Sequence, residues 1–142
     1  MNALAGLVAS AFIFTGAALA SPKAEADVFT DDLSRCLISS TDDADKIAVM
    51  RWMFGAMSVH PELADLSSTT LSQRTASDIS MARLFKRLMM KDCRTEADQL
   101  MTVSGESGFE AAFEVLGQSA MITLMNNNRV NEAILNYVQY LD

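Results

Sequence analysis

The chain has one histidine, one tryptophan, two cysteines and two prolines in 142 residues, and these scarcities exclude more than they suggest. A lone imidazole, His60, is accompanied by no G-x-S-x-G, H-E-x-x-H, C-x-x-C or P-loop spacing. A hydrolase triad, a zinc site and a phosphate cradle therefore all lack their residues, and the chain reads as a non-enzyme that needs no cofactor. No stretch sustains the two-residue alternation of a half-buried strand between turn residues, so no strand is expected. No internal repeat and no low-complexity tract interrupts the pattern.

Charge is also missing where it matters. From Met1 to Ala20 there is no charged side chain, and the run LAGLVASAFIFTGAA has the length of a signal-peptide h-region. Ala18-Leu19-Ala20 ahead of Ser21 supplies the small-residue cleavage pattern. Export to the periplasm with cleavage after Ala20 is expected, although the n-region departs from the usual pattern in having no Lys or Arg. An uncleaved anchor is the competing reading, but Gly6, Ser10, Thr15 and Gly16 weaken the span and no basic flank precedes it. No stable membrane insertion is expected after cleavage. The remaining chain carries the whole net charge of −7, which opposes general affinity for nucleic acid or anionic lipid.

What is present is helix-forming and apolar. The stretch Ile47 to Val59, IAVMRWMFGAMSV, has one charge, Arg51, and is hydrophobic nearly all round, the pattern of a buried central helix. Arg51 inside such a helix requires an internal partner. Before it, 21–28 reads as a flexible tether. Thr30 offers an N-cap to a first helix whose stripe is Phe29, Leu33, Cys36 and Leu37. Thr41 or Ser40 is placed to cap the central helix, with Asp42, Asp43 and Asp45 serving its dipole rather than a cation. His60-Pro61 ends it.

Thr70-Leu71-Ser72-Gln73 fits a capping box opening a long helix to about Cys93, with Ile79, Met81, Leu84, Phe85 and Leu88 available for the core. A helix-compatible stretch follows to Met101. Gly105 and Gly108 break it, and Ser107-Gly108-Phe109-Glu110 fits a second capping box. The helix after that places Phe109, Ala112, Phe113, Leu116 and Ala120 on one face. Asn126 to Asn128 separates it from a last helix with Val130, Ala133, Ile134, Tyr137, Val138 and Leu141 at amphipathic spacing. The expected fold is all-α: a single domain over 29–142, with about five or six helices around the buried helix 47–59.

Three sets of residues carry candidate chemistry. Cys36 and Cys93 are the only cysteine pair, and in an oxidising compartment an even count reads as one disulfide. Met50, Met53, Met57 and His60 follow at i, i+3, i+7 and i+10, within a sector of about 80° on a helix, a donor set suited to Cu(I). The plainer reading makes these methionines gap-fillers. High methionine content fits a pliable core or a pliable apolar groove equally well. Arg83, Arg87, Lys91 and Arg94, with Lys86 beside them, form a positive stripe that either meets an anionic partner or lies solvated, balancing the acidic helix starts.

The run RCLISSTDDADKIAVMRWMFGAMSVHPEL, with the later LFKRLMMKDC, resembles a group of small uncharacterised exported proteins of Gram-negative bacteria. The resemblance spans Arg35 to Cys93 and implies a periplasmic, single-domain helical protein without implying an activity. The layout of export signal, two distant cysteines and helices is also similar to that of periplasmic acid-stress chaperones. The combined expectation is a periplasmic interaction protein for a protein or small apolar ligand. A copper-binding protein and an acid-stress chaperone are the alternatives.

Overall fold

The computed structural model describes residues 22–141, so the stretch 1–20 read as a signal peptide, and the cleavage expected after Ala20, lie outside the described residues. Six α-helices run in order: α1 Pro22–Ser39, α2 Asp43–Met57, α3 Leu71–Arg87, α4 Arg94–Val103, α5 Gly105–Met125 and α6 Asn128–Leu135. Single 3₁₀ segments, Pro61–Leu66 and Asn136–Tyr140, follow α2 and α6. A π turn, Leu88–Asp92, carries α3 into Cys93. There is no strand among the described residues, and none of their helices is long and apolar enough to cross a membrane.

Local chemistry sets the boundaries. Helix α1 begins at Pro22, the first helical position, where a missing backbone N–H costs nothing, rather than at Thr30, and so takes in the stretch 22–28 read from the sequence as a tether. Asp42, not Thr41 or Ser40, caps α2, in a reciprocal box with Asp45. The Thr41 hydroxyl is instead buried and donates to the carbonyls of Leu37 and Ile38. The Thr70–Gln73 box opens α3 as its sequence implies. The box expected at Ser107 is unused, because Gly105 at φ +56° lets the chain turn from α4 into α5 three residues earlier.

The hub is α5, not the stretch 47–59. Gly108, Ala112, Leu116 and Ala120 form its buried stripe at four-residue spacing, and the small side chains let α1 and α4 approach closely. A Cβ on Gly108 would stand 2.6 Å from Leu100 Cδ1. Leu33 and Leu37 of α1, Leu84 of α3, Leu88 of the π turn, and Ala97 and Leu100 of α4 complete the core. From α2 only Val49 and Gly55 are buried. Trp52 is 37% exposed, Phe54 54% and Met57 50%. The expected burial of the 47–59 helix is therefore corrected: α2 is a flanking helix packed on α3 and α5. Arg51 is exposed and forms no ion pair among the described residues, so its expected internal partner is not needed.

Cys36 and Cys93 form a disulfide with their Cα atoms 5.7 Å apart. Close by, Arg87 joins three elements at the base of α2. Its Nη2 donates to the Asp45 carboxylate at 2.6 Å and to the Ser40 carbonyl at 3.2 Å. Its Nε lies 3.2 Å from the Asp92 carboxylate, but out of line for a hydrogen bond, so that contact is mainly coulombic. The hydrogen bond to Asp45, ahead of the nearby carboxylate charges, raises the Arg87 pKa above its ordinary value.

Candidate functional site

Helix α2 packs against both α3 and α5, whereas α3 and α5 approach each other closely at few if any backbone positions. Directly packed helices sit about 8–10 Å apart, so a wider gap opens a groove with α2 as its floor. Its volume is about 980 Å³, at the upper end of the roughly 300–1,000 Å³ range of small-molecule sites. The floor is Val49, Trp52 and Met53, at i, i+3 and i+4 on α2. One wall is Asp78, Met81, Ala82 and Phe85, a single face of α3 at i, i+3, i+4 and i+7. The other is drawn from α5 between Glu110 and Met121, with Phe113, Leu116 and Gly117 between them. Phe85 and Phe113 stack across the gap with ring centroids 5.2 Å apart.

The groove's chemistry is two-toned. Its depth is aromatic and aliphatic, with Met53, Met81 and Met121 giving three flexible thioether side chains that can repack around an occupant. Its charged lining residues are all acidic: Asp78 on one wall, and Glu110 and Glu114 on the other. None of the three pairs with a cation among the described residues; Glu114 accepts only the side-chain amide of Gln118, at 3.1 Å.

The candidate residues read from the sequence are distributed differently. Met50 and Met53 are partly buried against the core, whereas Met57 and His60 are exposed. His60 Nδ1 accepts the Glu62 backbone N–H at 3.2 Å, capping the 3₁₀ segment. The four are thus divided between core and surface. The basic stripe is divided as well: Arg87 is engaged by Asp45 and Asp92, Arg94 pairs with Asp98 at 3.6 Å, and Arg83, Lys86 and Lys91 are exposed. On a helical wheel Arg83 and Arg87 lie opposite the face of α3 that lines the groove.

The groove was not singled out in the sequence, although it left a trace there. The α3 segment carries apolar residues on two neighbouring faces. Leu84 and Leu88 take the core face, while Met81, Ala82 and Phe85 form a second face beyond what the core requires. Compared with known protein families, with curated proteins and with solved structures, the chain shows no match.

Proposed function

We propose that the protein is an exported, non-catalytic binding protein whose ligand seat is the groove between α2, α3 and α5. The observation that carries this reading is the groove itself: a large, open, mostly apolar cleft that leaves Trp52 and Phe85 partly exposed in a domain with a packed core elsewhere. Its lining offers apolar surface and carboxylates rather than a nucleophile paired with a base. Export rests on the signal-like start, and the Cys36–Cys93 disulfide accords with an oxidising compartment.

Trp52 is the sole tryptophan and lies on the groove floor, so its emission reports occupancy directly. Titration with a neutral naphthylamine dye is expected to give saturable one-to-one binding with a change in Trp52 emission. Gly117→Leu is the discriminating variant. A side chain there enters open space, with nothing within 4 Å of the added Cβ, and leucine favours helix over glycine. The variant should fold at least as stably as the parent and lose dye binding tenfold or more. Equal dye binding by both proteins would exclude the groove as the seat.

A further inference from the structure

The rims of the groove point to the kind of occupant it takes. Helices α2, α3 and α5 form three sides of a bundle, and the space between α3 and α5 is where a fourth helix would lie. The α5 wall from Glu110 to Met121 is about 16 Å long at about 1.5 Å per residue, or three helical turns. An open trough of that length suits an amphipathic helix laid along it, with anchors at i, i+3 or i+4, and i+7. Methionines on the floor and both walls allow the trough to adapt to such anchors.

Charge narrows the choice further. Asp78 on one rim and Glu110 and Glu114 on the other leave carboxylates along both sides with no basic residue in the lining. Glu110 and Glu114 are one turn apart, matching basic residues spaced one turn apart on an opposing helix. We infer that the groove binds a basic amphipathic helix of another protein, its apolar face seated on Trp52, Met81 and Phe113 and its flanking lysines or arginines paired with Asp78, Glu110 and Glu114.

This inference rests on the groove being the ligand seat, and the experiment separates the two claims. The probes are two helical peptides of 14 residues or so, about 21 Å long, free of aromatic residues, with the same leucine face and either lysines or glutamates on its flanks. Trp52 emission of the full-length exported protein is the readout. The lysine peptide is expected to bind at least tenfold more tightly than the glutamate peptide, and the difference should shrink as salt screens the rims. Neutralising the rims with Asp78→Asn, Glu110→Gln and Glu114→Gln, all exposed positions, should bring the two affinities within about threefold.

Equal binding of both peptides to the unaltered protein would overturn the basic occupant while leaving the groove as seat. Binding of the neutral dye but of neither peptide would overturn a helical occupant. If the protein alone sediments as a dimer that is lost on ending the chain at Asn127, and the lysine peptide does not dissociate that dimer, then the occupant is α6 of a second copy and the inference fails. Failure of dye and peptides alike would overturn the groove reading with it.

Discussion

At the residue scale, Arg87 shows how a side chain that looks like part of a binding surface can serve structure. It was legible as one cation in a stripe of five, Arg83 to Arg94, and helical spacing could not show that Asp45, 42 residues away in sequence, would meet it. The ion pair links the start of α2 to the end of α3, the two helices that form the floor and one wall of the groove. Arg87 keeps 39% of its side-chain surface, against 19% for Asp45. Solvent screening therefore holds the contribution between surface and buried limits, and Arg87→Met is expected to cost about 1–2 kcal/mol. Because the folded-state pKa is raised, the contribution is fully present below the ordinary arginine range and lost only as pH rises through the still higher folded value. The difference in denaturant midpoint between wild type and variant should therefore stay constant between about pH 7 and about pH 10. A difference that collapsed within that window would show that the Arg87 contribution had been misassigned.

At the element scale, what the sequence disclosed depended on whether the deciding interaction was local. The Thr70–Gln73 box, the extended backbone of His60 ahead of Pro61 and the asparagine break between α5 and α6 are short-range chemistry, and all three are present, although α2 itself ends earlier, at Met57. The role of 47–59 was not legible, because an apolar surface all round a helix does not distinguish a buried helix from one that buries one side and exposes the rest in a groove. The neighbours decide, and the small-residue stripe of α5 takes the central place. The last helix gives the opposite lesson. Its periodicity is the cleanest in the chain, yet among the described residues α6 packs mainly on α5 and the adjoining 3₁₀ segment, and none of its residues is buried. Ile134, Leu135, Tyr137, Val138 and Tyr140 keep much of their surface, Tyr140 75% of it. Periodicity reports the width of an apolar face, not whether anything covers it. Ending the chain at Asn127 is accordingly expected to shift the melting temperature by less than about 4 °C, since apolar groups left in water contribute little to folding. Far-ultraviolet dichroism should lose only the helix removed. Loss of cooperative unfolding on truncation would mean that α6 belongs to the core.

At the scale of the whole molecule, the disulfide ties the groove to the core. Cys36 lies on α1 and Cys93 at the junction of the π turn with α4, and α1 and α4 are packed on α5. The 57-residue span between the cysteines contains α2 and α3, the floor and one wall of the groove, while α5 supplies the other wall. Closing such a span removes denatured-state entropy worth about 4 kcal/mol in the chain-entropy model, before native strain is subtracted. Domains of this size have total stabilities of about 5–15 kcal/mol, so the covalent link is a large fraction of what keeps the α2–α3 unit against α5. Cys93 is fully buried with its Sγ 3.6 Å from the Ser40 hydroxyl, so serine could add a hydrogen bond of its own there, and Cys36→Ala with Cys93→Ala is the cleaner variant. That variant should melt up to about 15 °C lower than the oxidised protein, and reductant should lower the wild type comparably while leaving the variant unmoved. If the loss acts through the groove, the variant's Trp52 emission should move toward that of unfolded protein at lower denaturant than the wild type's. Thiol counting on denatured protein purified without reductant should find no free thiol. Two free thiols per chain, or equal melting with and without reductant, would remove the staple from the account and leave core packing alone to hold the groove's walls.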